Sequence, residues 1–443
     1  MKDASREPPP AEVAARRSKQ DGEIRSRWSW VEPAVWTDRM LAALERGVKG
    51  GVWFSLIDKV YASRSLEAAW QKVRSNRGSG GVDRETVQRF SRHAEQRLDK
   101  LSKALETGTY QPLLVRRVWI PKTDGRRRPL GIPAVRDRVV QTAVRHVLEP
   151  IFEAAFCEHS YGFHPGRGAK DALRRVDELL KAGYRYVIDA DLKSYFDTIP
   201  HERLMMLIES RVADGRVLSL LRSFLNQGVL EGMRAWTPTR GTPQGAVISP
   251  LLANIYLHPL DVLMASEGHE MVRYADDFVI LCRRQDEAER VMTRLVEWVS
   301  QAGLALHPDK TRLVDTAEPG GFEFLGYRFD RGRRWPRQAS VQKLKDTIRR
   351  KTRRTSGRSL SVIIADVNGT TRGWFGYFQH SHKAVFRELD GWLRMRLRSI
   401  LRRRRGLRGR GRGYDQHRWP NAYFAERGLF TMVQAHALAC QSR

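Results

Sequence analysis

Apolar residues recur along this chain with two periods, and the periods divide it. Val139, Val140, Ala143, Val144, Val147, Leu148 and Ile151 fall at i, i+3 and i+4 steps, the spacing of one helix face. A second amphipathic helix is predicted from about Asp286 to Ala302, and helical spacing also begins near Trp36. From Val341 to Arg405 the helical period persists, with Val385, Leu389, Trp392, Leu393, Leu397 and Ile400 along one face. Between these stretches the pattern shortens. "YRYVIDADLKSYF" opens as a buried strand, and "EMVRYADDFVILC" reads as two short strands around a tight turn. Asp124-Gly125, set between Val118-Trp119-Ile120 and Leu130-Gly131-Ile132, predicts a hairpin. Residues 1 to about 27 are polar and Pro-containing and are expected to be flexible. "RRRRGLRGRGRGYD" reads as a Gly/Arg-rich linker before a last short helical piece that ends near Ala439. Strands in the middle and helices at the end predict an α+β core with a helical appendage.

Composition narrows the class. The chain has 443 residues, 41% hydrophobic with 12 Trp, which is enough to build cores and excludes a disordered polybasic polymer. It carries 79 Lys and Arg against 50 Asp and Glu, a net +29 that points to a polyanionic partner, nucleic acid first. Between Arg331 and Pro420, 26 Lys or Arg face 5 Asp or Glu, so +21 of the charge sits in about a fifth of the chain. Balanced Lys and Glu would serve solubility as well; an Arg excess favours phosphate. Cys157, Cys282 and Cys440 are far apart, which argues against a zinc ribbon, a finger or a disulfide framework. The start has no apolar signal core, and no run approaches 18 apolar residues, so a soluble, cytosolic chain is expected.

Against that positive background Asp276 and Asp277 stand inside an apolar run. Turn chemistry alone accounts for a pair of aspartates there. Asp191, at the end of the strand Tyr186-Val187-Ile188, changes the weighing. If the two strands are neighbours, three carboxylates converge. At ~4 Å and an effective dielectric of ~20 each pair repels by roughly 4 kcal/mol, which a bound cation must offset. All-oxygen ligands suit Mg²⁺. Two such ions, about 3.5–4 Å apart, serve in-line displacement at phosphorus. A basic protein with that site is a polymerase or a nuclease.

The blocks "GSGGVDRET", "PKTDGRRRPLGIPAVRDRVVQ", "SYGFHPGRGAKDAL", "DADLKSYFDTIPHERL", "GTPQGAVISPLLANIYL", "RYADDFVILC", "GLALHPDKTRLV" and "FEFLGYRF" follow in order. In that order they resemble the bacterial group II intron-encoded reverse transcriptases, or maturases, over roughly residues 55 to 440. "RGWFGYFQHSHKAVFRELDGWLRMRLRSIL" resembles the family's thumb or maturase domain. The resemblance implies an α+β right-hand polymerase, with fingers, a palm with an antiparallel sheet, and an all-helical thumb. Residues 1–50 would be a flexible N-terminal segment and first helix, 51–335 the fingers and palm, 336–402 the thumb/maturase domain, and 403–443 a basic nucleic-acid-binding tail. Asp191, Asp276 and Asp277 would be the catalytic residues and the ligands of two Mg²⁺ ions. The expected activity is RNA-directed DNA synthesis from deoxynucleoside triphosphates, on the chain's own group II intron RNA, with help to splicing and with target DNA and primer as further partners. The expected location is the bacterial cytoplasm, at the nucleoid when bound to DNA.

The resemblance also assigns nucleotide contacts. Lys122 and Arg128 flank the hairpin tip and would close over the triphosphate, with Arg126 and Arg127 the weaker choices. Phe196, five residues after Asp191, would place its ring beneath the sugar and exclude a 2′-hydroxyl; on the residues alone core packing reads better, and Tyr195 is an equal rival. Gln244 would reach the nucleotide and template, with Gly241 and Gly245 allowing close backbone approach. Lys310 would be a phosphate or palm-stabilising cation, a solvated lysine being the bland alternative. Arg372 and Trp374, among core aromatics, would meet RNA, as would Arg402, Arg403, Arg404 and Arg405. Ala246, His164 and Gly168 depart from the usual pattern, where Gly, Arg and Ser are common. The end resembles a family terminus without the HNH endonuclease, which would leave second-strand cutting to other means. The alternatives are a splicing-only RNA-binding maturase, a reverse transcriptase recruited to a host or defence role, and a metal-dependent nuclease, against which the nucleotide-side residues argue.

Overall fold

The computed structural model describes residues 22–48, 50–121, 125, 127–409, 411 and 413–441. Among them the strands run β1 (Val115–Pro121), β2 (Arg127–Ile132), β3 (Tyr186–Asp191), β4 (Val229–Glu231), β5 (Arg234–Trp236), β6 (Glu270–Tyr274), β7 (Asp277–Cys282), β8 (Arg312–Asp315), β9 (Phe322–Phe324), β10 (Tyr327–Asp330) and β11 (Arg333–Pro336). The chain divides into two units. The first holds the described residues up to Ala172 together with Asp191–Asp276 and Thr293–Pro308. The second holds Leu173–Ala190, Asp277–Met292 and the described residues from Asp309 onward.

In the first unit, β2-β1-β4-β5 form one sheet. β1 and β2 pair antiparallel as the sequence predicts, with Val118 opposite Leu130 and Ile120 opposite Arg128, and Asp124 lies outside the described residues. β1 then pairs parallel to β4, which returns antiparallel as β5. The predicted helix is Val135–Glu153, and Val139, Val140, Ala143, Val144, Val147, Leu148 and Ile151 are all buried on it. Pro150 lies inside this helix and has no N–H for the carbonyl four residues back, that of His146. The indole of Trp36, itself fully buried, donates to that carbonyl at 2.9 Å. A sequence partner 110 residues away therefore satisfies the acceptor that proline orphans.

The helix Gly215–Leu225 is capped by Asp214, which accepts from Arg216 and Val217 at its own N-terminus and from Leu56 and Ile57 across the unit. Burial pushes the Asp214 carboxyl up, but these four N–H donors outweigh it and hold it below the usual range. Part of the segment expected to be flexible, residues 22–27, is ordered. Residues 22–27 are helical, with Ile24 buried and Arg25 paired to Asp38 at 2.8 Å. Residues 1–21 lie outside the described part.

In the second unit β3 lies between β7 and β8, antiparallel to β8. Val187, Ile188 and Ala190 of β3 and Phe278 to Cys282 of β7 are buried, as near-continuous apolar runs in covered strands should be. β11-β10-β9 make a second, antiparallel sheet, with Phe322 stacked on Phe329 at 4.9 Å. The continuous helical period from Val341 resolves into Gln338–Lys351, Leu360–Phe378 and Lys383–Arg404. Their apolar faces meet in one core that includes Ile348, Val367, Phe386, Leu393 and Leu397.

That core also contains Trp419, Phe424, Leu429 and Met432, which corrects the expected boundary at 402/403. The Gly/Arg stretch folds back onto its own helix: Gly411 N–H donates to Ser399 Oγ at 3.0 Å, and a Cβ at Gly411 would come within 2.5 Å of Arg398 Cβ. Glycine serves close approach there rather than slack. Arg398, buried, holds the returning chain through Trp419 C=O and Asn421 Oδ1 at 2.8 and 2.9 Å. Asp390 accepts from Met432 and Val433 and so starts the last helix, Met432–Gln441. Among the described residues no helix is long and apolar enough to cross a membrane.

Candidate active site

Convergence of the three aspartates requires β3 and β7 to be neighbours, and they are. Arg185 N–H, one residue before β3, donates to the carbonyl of Cys282, the last residue of β7, at 3.0 Å. The start of one strand meets the end of the other, so the two run antiparallel. Counting back from that bond brings Asp191, which ends β3, beside the turn where Asp276 leads into Asp277, the first residue of β7. The backbone carbonyl of Asp191 accepts from His307 N–H at 2.7 Å, and each of the three aspartates is half-buried and interacts with its surroundings. Among the described residues no group of three His, Cys, Asp or Glu side chains stands in metal-binding geometry. The donor set still fits a hard cation in type, being all carboxylate oxygen at adjoining strand ends.

The turn is built from unusual parts. Only Ala275 and Asp276 separate β6 from β7, and Ala275 has φ +59°, a left-handed conformation costly for a residue with a Cβ. Gly162 lies against it so closely that a Cβ there would stand 2.2 Å from the Ala275 nitrogen. Arg273 is fully buried, and its guanidinium is forked on Asp261, Nε to Oδ1 at 2.6 Å and Nη2 to Oδ2. Burial alone would discharge it; the Asp261 carboxylate wins and holds its pKa above the ordinary value. Nη1 donates to Asn254 Oδ1 at 2.9 Å and to the Ala275 carbonyl at 3.0 Å.

The adjacent aromatics separate cleanly. Tyr195 is buried and its hydroxyl donates to the Ala253 carbonyl at 2.6 Å, so this ring belongs to the core. Phe196 is only half-buried, and its carbonyl accepts from Thr242 N–H at 2.7 Å. Gly241, at φ +87°, is needed there because a Cβ would meet Phe196 O at 2.7 Å. Gly245, at φ +104°, likewise approaches Gly131 O. The close approach these glycines permit is thus to the chain's own backbone. Gln244 C=O accepts from Gly131 N–H of β2 at 2.6 Å, and its amide donates to Asp197 Oδ2 at 3.2 Å. Burial raises the Asp197 carboxyl, opposed by Arg117 and Gln244. Arg128 is exposed on β2, and Lys122 lies outside the described residues. Lys310 is exposed just before β8 and has a partner.

His164, one of the departures from the family pattern, is buried in a closed network. Its two ring nitrogens meet Ser160 Oγ at 2.7 Å and Glu153 Oε2 at 2.8 Å, and Arg167 also binds Glu153. Among the expected RNA contacts, the half-buried Trp374 packs its ring on Phe378 and Phe386 at centroid distances of 4.7 and 6.5 Å, at the border of the helical core. Arg372 lies over the Phe430 ring at 5.5 Å. Arg402 pairs with Asp415 at 2.9 Å and Arg404 binds the Arg358 carbonyl, while Arg403 and Arg405 are exposed. The pattern of the sequence does not single out Arg273, Asp261 or Asn254, which the structure ties to the Ala275 turn, or Asp197, which it sets against Gln244. The one signal for Arg273 is an arginine wedged between Met271-Val272 and Tyr274, at the head of "RYADDFVILC".

Two family models match the chain. One, described as reverse transcriptase (RNA-dependent DNA polymerase), matches residues 120–329; the other, described as group II intron, maturase-specific domain, matches residues 341–419. The chain is 36% identical over 307 residues to protein YkfC of Escherichia coli (strain K12), covering 60% of this chain and 79% of that one. It is 40% identical over 196 residues to the group II intron-encoded protein LtrA of Lactococcus lactis subsp. cremoris, which is 44% of this chain and 32% of LtrA. An uncharacterized 91 kDa protein in the cob intron of Schizosaccharomyces pombe is 40% identical over 195 residues, 44% of this chain and 24% of that one. The chain therefore spans most of the first relative and a third or less of the other two.

Proposed function

The chain belongs to the reverse transcriptase (RNA-dependent DNA polymerase) family and carries the maturase-specific domain of group II introns, and from that premise we propose that it extends a DNA 3′ end on intron RNA, with Asp191, Asp276 and Asp277 as the catalytic carboxylates. The observation that supports this assignment best is the antiparallel neighbourhood of β3 and β7, which brings the three aspartates to one end of the sheet. They would hold two Mg²⁺ ions, which when bound lower the pKa of the 3′-hydroxyl and neutralise the charge on the leaving pyrophosphate. Around them the chain's own groups position the nucleotide. Arg128, exposed on β2, would meet the triphosphate. Gln244, oriented by Asp197, presents an amide that both donates and accepts. Phe196, less buried than Tyr195, would lie against the sugar.

The helical part of the second unit, from Gln338 onward, would supply RNA affinity. Its Arg excess between Arg331 and Pro420 suits a phosphate backbone, and the intron's own RNA is the partner this reading assigns. Help to splicing, and use of a target DNA as primer, belong to the same proposal.

The test is extension of a DNA primer on an RNA template, with and without Mg²⁺, by the wild type and by Asp276→Ala. The variant should lose synthesis to background while its melting temperature stays or rises, because one member of a mutually repelling set is gone. A variant that retains half the wild-type rate sinks the assignment of the carboxylates.

A further inference from the structure

Asp276 sits on a two-residue turn whose first residue, Ala275, is left-handed. Nothing in the local sequence makes that conformation favourable, since alanine has a Cβ and no side-chain hydrogen bond to offer. Something outside the turn must hold it. We propose that Arg273 is a positioning residue for the carboxylate of Asp276, acting with Asp261 and Asn254 by fixing the peptide plane between Ala275 and Asp276. The inference rests on the role given to Asp276 above.

The geometry is a closed loop. The Ala275 carbonyl belongs to the peptide that leads into Asp276, and Arg273 Nη1 donates to it at 3.0 Å. Rotating that peptide changes ψ of Ala275 and φ of Asp276 and so would swing the aspartate; the hydrogen bond opposes the rotation. The guanidinium cannot follow, because four of its five N–H groups are engaged in a fixed plane on Asp261, Asn254 and Ala275. Asn254 closes the loop: its Oδ1 accepts from Arg273 and its Nδ2 donates to the Gly162 carbonyl at 2.8 Å. Gly162 in turn presses on the other side of the turn, at the Ala275 nitrogen. The backbone of Arg273 is held too, its N–H on the His159 carbonyl at 3.1 Å and its carbonyl on Tyr161 N–H at 2.8 Å. One side chain, wholly without solvent, thus ties the 159–162 segment, the helix Ser249–Ser266 and the turn into one piece.

A buried ion pair of good geometry can also be mere core. The two roles separate in the double variant Arg273→Met with Asp261→Leu, since replacing both partners of a buried pair by apolar groups is often neutral for stability. It removes the bond to Ala275 and leaves no unpaired charge. The readouts are melting temperature, primer–template affinity, single-turnover rate, and Mn²⁺ binding to the protein–primer–template complex by electron paramagnetic resonance. The expected result is an unchanged affinity, a melt lowered modestly by the Asn254 and Ala275 acceptors left without a donor, a rate lower by about a hundredfold, and Mn²⁺ binding weaker by about tenfold. A rate within about threefold of wild type with unmoved Mn²⁺ binding overturns the proposal, being far short of the loss a misplaced reacting group produces. Should the double variant not fold, Asn254→Ala, which keeps the ion pair, decides by the same rate and Mn²⁺ readouts. Asp276→Ala runs alongside. If it is inactive while the Arg273 variants keep the rate, the positioning role alone fails; if it is active, the reading of the site fails and takes this inference with it.

Discussion

Tyr195 and Phe196 show what one residue of sequence offset decides. By pattern they are equal rivals, since both are aromatic and both follow Asp191 closely. The fold separates them: Tyr195 spends its hydroxyl on the Ala253 carbonyl inside the core, whereas Phe196 stays half-exposed beside Gly241. Phe196→Ala should therefore raise incorporation of ribonucleotides relative to deoxynucleotides in a primer-extension assay. Tyr195→Phe should leave that ratio unchanged and cost about 1 kcal/mol of stability, because a buried carbonyl loses its donor. Equal discrimination by Phe196→Ala and the wild type would return the ring to packing. The aspartates were legible because a carboxylate set in an apolar strand is costly unless a cation or a donor compensates it. Arg273 was not, although it stands three residues from Asp276. Its meaning lies in partners 12 and 19 residues away, across a helix whose register no periodicity reveals. Trp374 is the opposite case: an aromatic beside an arginine reads as a stacking platform, and only the fold reveals that its ring also packs on Phe378 and Phe386.

At the scale of elements, the helix Val135–Glu153 was readable from its apolar spacing, which picked out seven of its buried residues, because helical period is a local property. Its repair at Pro150 was not, because the donor comes from Trp36. Trp36→Phe keeps most of the apolar volume and deletes the donor, leaving the His146 carbonyl buried and unsatisfied. The expected loss is about 1–3 kcal/mol, read as a lower urea midpoint. A midpoint equal to wild type would mean that water takes the place of the indole. The same turn of helix carries a pH effect. Burial, aided by Arg145 and Lys72 against Glu32, holds the His146 imidazole down to about 4. Its unfolded value is near the usual ~6.5, so between those two pH values the unfolded chain binds the extra proton. The contribution of His146 is complete above that upper value and is lost as pH falls toward the lower one. His146→Gln should flatten the fall in melting temperature across that window; an unchanged slope would assign acid sensitivity to other groups.

For the whole molecule, charge and packing have to be read together. The Gly/Arg composition after Arg402 looks like a loose phosphate-binding linker, and composition alone cannot distinguish slack glycine from glycine that makes room. Gly411 makes room against Arg398, and the chain beyond it delivers Trp419, Phe424, Leu429 and Met432 to the helical core. The arginines of this stretch are accordingly not equivalent. Arg402 is engaged with Asp415 and the Arg408 carbonyl, and Arg404 with the Arg358 carbonyl, so substituting them would disturb the fold as well as the field. Arg403 and Arg405 are exposed and test electrostatics alone. Changing both to Gln should leave the melting temperature near wild type and weaken binding to single-stranded RNA. Each phosphate that is no longer neutralised should reduce the steepness of log affinity against log salt by roughly 0.7, so two would reduce it by about 1.4. At saturating primer–template the single-turnover rate should hold, because neither arginine is among the three aspartates or the groups placed around the nucleotide. Affinity at several salt concentrations and the rate at saturation, measured on the same variant, give the decision. An unmoved slope would take these two side chains out of the RNA interface. A rate that collapses at saturation, with the slope flattened, would mean that the basic face orders the template for chemistry and does more than raise its local concentration.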